Sequence, residues 1–288
     1  MTMTTTVAAM STAEFHRLRQ IIYDRSGIHF PDAKKYVLES RLSQRLAELE
    51  IENYSQYADL LSIGPYQADE FQEMFNRITI NETSFFRNIP QLEFFERETL
   101  PAMLEKRRAI KRLRIWSAAC SSGEEPFTLA ILVHRTLGIR LADWKIEILG
   151  TDISEKALGV ASEGTYTSYS IRGTPDTVMS RYFRKQGESF VVDPVIRSMV
   201  SLEVMNLKDK SAARRHGIWD AIFCRNVLIY FDDAGKTQVL RTLAEQLAPD
   251  GRLFVGHSES VRGLQVPIVP LAAAQSFAYE HAAKGVKG

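Results

Sequence analysis

The feature that most constrains this chain is a change of pattern between residues 113 and 137. Residues 113–116 form a short apolar run. The small residues Ser117, Ala118, Ala119, Ser121, Ser122 and Gly123 follow, then an apolar stripe through Leu129, Leu132, Val133 and Leu137 that stops near Gly138. The run reads as a buried strand and the stripe as a helix, with Pro126 in the first turn, the place a helix tolerates proline best. Strand, tight turn of small residues and helix together make the ligand-binding corner of a doubly wound α/β domain. The chemistry of the turn bears on the ligand. A pyrophosphate at a helix N-terminus is held by bare N–H groups with no anion nearby, whereas Glu124 and Glu125 bring two carboxylates. These suit a ligand with a positive head, such as the ammonium and sulfonium of S-adenosylmethionine. The same carboxylates also complement the helix dipole, so the turn alone leaves the two explanations level.

The α/β pattern continues through most of the C-terminal part. Residues 145–150 read as a second strand, ended by Thr151-Asp-Ile-Ser154. An acidic residue there holds ribose hydroxyls in such folds, and Asp152 or Ser154 also suits the N-cap of the next helix. Residues 200–204 and 219–224 read as strands, 233–247 as a helix, 249–251 as a turn, 252–256 as a strand and 275–280 as a final edge strand. The first and fourth strands are then neighbours, which brings Cys120 and Cys224 towards each other as thiols expected to stay reduced. Residues 164–200 fit no βαβ unit. They read as an insertion, with a short helix over 178–183 and small antiparallel strands over 190–192 and 196–200.

The N-terminal part is helical. Ser11 and Glu14 form a capping box, Phe15, Leu18, Ile21 and Ile22 a stripe, and Gly27 a stop. A second helix over about 33–49 carries Leu38, Leu42, Leu46 and Leu49, with Lys34, Arg41 and Arg45 sharing one face beside them. That face is either solvated surface or a docking face for an acidic helix. Helices over 54–61 and 68–77 complete the domain. The block Asn81-Glu-Thr-Ser-Phe-Phe-Arg87 then breaks the pattern. A helix from Pro90 is punctuated by Pro101, and another covers 103–111. The segment 81–111 serves either as a plain linker or as a lid over a pocket. The domains are therefore 11–80, the connector 81–111, and 112–288 with its β subdomain at about 164–200.

A formal net charge of +1 over 288 residues argues against a general nucleic-acid or acidic-membrane binder. No apolar stretch reaches membrane-spanning length, residues 1–10 lack the features of a signal peptide, and the two cysteines show no zinc spacing. A cytoplasmic protein without a metal is expected.

Four blocks, taken in order behind a small helical domain, carry a resemblance. They are Asn81-Glu-Thr-Ser-Phe-Phe-Arg87, Trp116-Ser-Ala-Ala-Cys-Ser-Ser-Gly-Glu-Glu-Pro126, Gly150-Thr-Asp-Ile153 and Phe223-Cys-Arg-Asn-Val-Leu-Ile-Tyr-Phe231. The chain resembles the chemotaxis receptor glutamate O-methyltransferases, the CheR family, from about Ser11 to Glu280. The resemblance implies an all-α domain followed by a class I, Rossmann-like methyltransferase domain. It implies S-adenosylmethionine as donor, S-adenosylhomocysteine as product, and glutamates on the cytoplasmic helical bundles of chemoreceptors as acceptors. It further implies that Asn81, Thr83 and Arg87 reach the cofactor from the connector. Glu124, with Glu125 as the alternative, contacts its ammonium, and Asp152 takes the ribose. Asn206 and Leu207 flank the adenine, Arg225 and Asn226 line the pocket beside the sulfur, and Tyr230 sits near the transferring methyl. Arg87 and Tyr230 are expected to orient the acceptor without exchanging protons.

Two departures from the family pattern stand out. Gln44 and Glu48 dilute the basic second helix in which Lys34, Arg41 and Arg45 are the docking candidates. The β insertion offers Gly187 alone in Arg184-Lys-Gln-Gly-Glu-Ser189, where some members have a glycine-rich, peptide-binding loop. A monomer that needs no C-terminal peptide tether on its receptor is expected. The competing readings are a nicotinamide-dependent oxidoreductase, against which the missing glycine triplet argues, and a non-catalytic domain that senses S-adenosylmethionine or scaffolds a two-component pathway.

Overall fold

A computed structural model describes residues 7–63, 67–273 and 275–282, and the chain divides into two compact units. One comprises the residues up to Ile80 together with Tyr230–Gly235. The other comprises Asn81–Ile229 and the chain from Lys236 onward.

The first unit is built on α1 (Thr12–Ser26), α2 (Lys35–Glu48), α3 (Tyr54–Ser62) and α4 (Gln67–Ile78). Ser11 and Glu14 exchange the reciprocal bonds of a capping box, and Gly27 closes α1 in the left-handed region at φ 77°. A 3-10 turn over Asp32–Lys34 stands where the second helix was expected to begin. Phe15, Leu18 and Ile22 of α1, Leu38, Leu42 and Leu46 of α2, and Tyr54, Tyr57 and Leu61 of α3 are all buried. This is one apolar stripe per helix at three- and four-residue spacing.

Within that core lies a buried carboxylate. Glu70 accepts from Arg45 Nε at 3.1 Å and Nη2 at 2.6 Å, and from the Tyr57 hydroxyl at 2.7 Å. Arg77 ties the outer rim, donating to Glu48 and Glu73 at 2.7 Å each. A carboxylate is tolerated in such a place only when a cation and hydrogen bonds compensate it. Arg45 is therefore an internal strut, and Arg41 is half-buried and donates to the Ile78 carbonyl. Of the three basic residues expected to share a docking face, Lys34 alone is fully exposed. Arg45→Glu is expected to destabilise this unit by about 3–5 kcal/mol, the cost of breaking a buried pair, and Lys34→Glu to stay within about 0.5 kcal/mol. Chemical denaturation of the two variants checks this.

The second unit opens with the connector: α5 (Ile89–Phe94), a π-helical turn (Phe95–Thr99) and α6 (Leu100–Lys106). The break expected at Pro101 does not occur. The wider turn before it leaves the proline, which has no N–H to give, inside a continuing helix. Phe95 meets Phe223 and Phe254 edge-on at 5.1 and 5.7 Å, and those two rings stack at 4.4 Å.

The strands that follow are β1 (Arg112–Ala118), β2 (Lys145–Asp152), β3 (Thr165–Tyr166), β4 (Phe183–Gln186), β5 (Ser189–Val192), β6 (Val200–Val204), β7 (Trp219–Cys224), β8 (Leu247–Val255), β9 (Ile268–Pro270) and β10 (Ala278–His281). The main sheet runs β6-β2-β1-β7-β8-β10-β9. It is parallel from β6 to β8 and antiparallel where β10 joins. The helices of this unit are α7 (Glu124–Leu137), α8 (Glu155–Glu163), α9 (Asp176–Tyr182), α10 (Pro194–Arg197), α11 (Lys210–Arg215) and α12 (Asp233–Glu245), whose first turn belongs to the helical unit. β1 and β7, the first and fourth strands, are adjacent, and Cys120 and Cys224 are both buried free thiols.

The insertion forms a separate antiparallel sheet, β3-β5-β4. The strand expected over 196–200 is not there. Asp193 caps α10 by accepting the Val195 N–H at 2.8 Å, and Pro194 starts that helix. The turn expected at 249–251 lies inside β8, absorbed by a register shift opposite Trp219 and Ala221.

Candidate active site

The site is assembled where β1 and β2 end. Between β1 and α7 the backbone enters the left-handed region at Ala119 (φ 66°), Ser121 (φ 52°) and Gly123 (φ 91°). Non-glycine residues take that conformation only when their surroundings hold them there. Here Asp152 does so: it accepts the Ser121 N–H at 2.7 Å on one carboxylate oxygen and the Ser154 N–H at 2.9 Å on the other. Cys120 N–H donates to the Thr151 carbonyl at 2.8 Å and the Trp116 indole to the Thr151 hydroxyl at 2.9 Å. At Gly123 no side chain fits, since a Cβ would stand 2.6 Å from that of Ala161.

Ser154, not Asp152, caps α8, its hydroxyl accepting the Ala157 N–H at 3.2 Å. Asp152 is thus left with acceptor capacity, because a carboxylate has about four lone-pair sites. It is buried, and desolvation raises its pKa against the backbone N–H groups that lower it. Its carbonyl accepts the Met205 N–H at 2.9 Å, which fixes the start of the segment carrying Asn206 and Leu207. The Asn206 side chain turns that segment by accepting the Lys208 N–H at 2.9 Å.

The two glutamates of the turn differ. Glu124 is 1% exposed and accepts the Ser122 hydroxyl at 2.7 Å. Burial raises its pKa, while hydrogen bonds from Ser122 and Ser170 and the charge of Arg172 pull the other way. Among the described residues no cation forms an ion pair with it. Glu125 already has a counter-charge: Arg225 donates to it at 2.9 Å, and the Ser117 hydroxyl at 2.6 Å.

The connector closes over this turn. The Asn81 carbonyl accepts the Ser121 hydroxyl at 3.2 Å, Phe85 N–H donates to the Ser170 carbonyl at 2.9 Å, and Phe86 N–H donates to the Thr128 hydroxyl at 3.2 Å. Tyr169 and Arg172 hold Glu82 from the far side, at 2.7 and 3.5 Å. Thr83 and Arg87 lie half-buried in the same segment. The segment is therefore packed into the α/β unit and is not a free-standing linker.

Asn226, at φ 59°, is fixed by a residue that no local sequence pattern marks. Glu259 is buried and accepts the N–H groups of Asn226, Leu228 and Gly256 at 2.8, 2.7 and 2.6 Å. It comes from 33 residues away in sequence, with no local signal to find it by. Tyr230 is assigned to the helical unit, where its carbonyl accepts the His29 N–H at 2.8 Å.

Comparison with known proteins decides the family. Residues 13–79 match the CheR methyltransferase all-alpha domain, and residues 81–273 the CheR methyltransferase SAM binding domain. The chain belongs to the CheR methyltransferase family. It is 36% identical to chemotaxis protein methyltransferase 2 of Vibrio cholerae, covering 88% of this chain and 87% of that one. To the chemotaxis protein methyltransferase of Escherichia coli it is 35% identical, covering 89% and 87%. The residues present fit S-adenosylmethionine. A buried carboxylate without a cation stands at the helix N-terminus, and a second carboxylate with spare acceptor sites stands at the end of the neighbouring strand.

Gly123→Ala is expected to disrupt this corner twice over, through positive φ and through the clash with Ala161. The expected cost is at least about 1 kcal/mol, read in thermal melting, together with loss of cofactor binding in calorimetry.

Proposed function

We propose that this chain transfers the methyl group of S-adenosylmethionine to glutamate side chains on the cytoplasmic helical bundles of chemoreceptors, leaving glutamyl methyl esters and S-adenosylhomocysteine. The observation that carries this reading is that Glu124 and Asp152, two buried carboxylates, form no ion pair among the described residues and stand at the two points where a cationic amino-acid head and a ribose would sit.

S-adenosylmethionine, when bound, supplies a methyl group on a positively charged sulfur. Glu124 compensates the ammonium of its methionine moiety and Asp152 accepts from the ribose hydroxyls. Asn206 and Leu207 flank the adenine, and Asn81 and Thr83 complete the pocket from the connector. Arg225 and Asn226 set the wall beside the sulfur. The acceptor is a carboxylate, ionised at neutral pH, so no general base is required. What the chain provides is alignment of the acceptor oxygen, which we assign to Arg87 and Tyr230. Lys34 is the member of the proposed docking group that is fully free to meet an acidic receptor surface.

Recognition does not need a C-terminal receptor peptide in this reading. β4 is the outer strand of the small sheet, but it joins β5 through a two-residue turn, Gly187-Glu188, too short to form a peptide-embracing loop.

Three measurements test these statements. Labelled methyl groups are expected to pass from S-adenosylmethionine to receptor-containing membranes as base-labile esters; no transfer with bound cofactor would refute the reading. Cofactor affinity is expected to rise with pH from the ordinary carboxylate range upward. Burial raises the pKa of Glu124, so the free protein keeps a proton there to higher pH than an exposed glutamate does, and that proton must leave before an ammonium is paired. Calorimetry in buffers of different ionisation enthalpy is then expected to show proton release on the acid side. In the absence of ligand the sign for stability is the reverse: burial penalises the ionised forms of Glu124 and Asp152, so stability falls as pH rises through their raised pKa values. Lastly, titration with a free peptide copying the C-terminus of a tethered receptor is expected to show no micromolar binding.

A further inference from the structure

Arg225 lines the proposed pocket, yet both of its terminal nitrogens are engaged within the protein. The side chain is 4% exposed. Nη1 donates to Glu125 at 2.9 Å, and Nη2 donates to the carbonyl of Arg87 at 2.7 Å. The other oxygen of Glu125 accepts from Ser117, a fully buried residue of β1, at 2.6 Å. One unbroken chain of hydrogen bonds thus runs from β1, through the first turn of α7 and the end of β7, into the connector.

We infer that Glu125 is a positioning residue: acting through Arg225, it fixes the backbone of Arg87 and so sets where the Arg87 side chain can reach. The inference rests on the role proposed above for Arg87. Three observations support it. Arg87 lies between two non-glycine residues of positive φ, Phe86 at 54° and Asn88 at 65°, a conformation that persists only when neighbouring contacts over-determine it. The Arg87 guanidinium is turned back on its own segment, donating to the Glu82 carbonyl at 2.9 Å, so the shape of that segment decides its position. Arg225 offers donors only, and among the described residues its buried Nε has no hydrogen-bond partner. Its orientation therefore depends on the carboxylate at one end and the Arg87 carbonyl at the other. The same commitments leave Glu125 unsuited to a ligand ammonium and leave that task to Glu124.

The test is a double-mutant cycle between Glu125→Gln and Arg87→Ala. The readouts are S-adenosylhomocysteine affinity by calorimetry and kcat and KM for methyl transfer to receptor-containing membranes, with circular dichroism and thermal melting as the control for folding. Glu125→Gln is expected to weaken affinity about tenfold, the worth of one charge-assisted hydrogen bond. Once the Arg87 side chain is gone, the same change is expected to cost less than about twofold. An equal cost in both backgrounds overturns the positioning role and leaves the reading of Arg87 standing. An Arg87→Ala variant with unchanged affinity and turnover overturns that reading and this inference together. Should Glu125→Gln fail to fold, Ser117→Ala removes one neutral donor from the same chain of hydrogen bonds and passes through the same cycle: a cost that shrinks without the Arg87 side chain supports the positioning role, and an equal cost overturns it.

Discussion

The carboxylate of Asp152 is the tie on which the site depends. With one oxygen on Ser121 and the other on Ser154, it joins the turn after β1 to the end of β2. That turn contains three residues of positive φ, two of them not glycine, so it is not a shape the backbone adopts by preference. The carbonyl of Asp152 sets the next segment through Met205. One residue therefore positions the first turn of α7, the start of α8 and the approach to Asn206. In the function proposed above, a ligand hydroxyl at Asp152 would meet a carboxylate already held in place and would cost little reorganisation.

Much of this was legible in the sequence, for reasons that can be named. Periodicity marks β6 because Val200, Leu202 and Val204 alternate with Ser201 and Glu203, and β7 because it ends in the apolar run Ala221–Cys224. Ser11 and Glu14 mark the start of α1 because a capping box is a local interaction among four residues. Where reading failed, a non-local or compensating interaction had overruled the local signal. Pro101 sits inside a helix because a π-turn precedes it. Residues 194–197 coil because Asp193 and Pro194 start a helix more strongly than Ile196 and its neighbours favour a strand. Pro249 and Gly251 lie within β8 because a bulge opposite Trp219 takes up their irregularity. Glu259 was invisible, since two of its three backbone partners, Asn226 and Leu228, come from distant sequence.

The helical unit shows how a shared face can mislead. Arg41 and Arg45 do share one side of α2, with Lys34 in the 3-10 turn before it, but spacing gives direction and not partners. Glu70 lies one helix away in space and 25 residues away in sequence, and it takes Arg45 inward. The Ile78 carbonyl at the end of α4 takes Arg41. Basic residues that look available in sequence are here spent on holding α2 to α4.

Buried carboxylates sort themselves by what compensates them. Glu70 has Arg45 and Tyr57, Glu259 has three backbone N–H groups, and Glu125 has Arg225 and Ser117. These are complete within the chain, and a complete network stabilises and orients its members. Glu124 is buried more deeply than any of the three, and among the described residues it has serine hydroxyls and the charge of Arg172 acting on it but no ion pair. Burying a carboxylate without an ion pair costs on the order of several kcal/mol unless protonation, hydrogen bonds or a bound partner offset it. Burial raises the pKa of Glu124, which shifts its balance toward the neutral form and lessens that cost. In the function proposed above, Glu124 is therefore the residue that a cationic head of the ligand would complete.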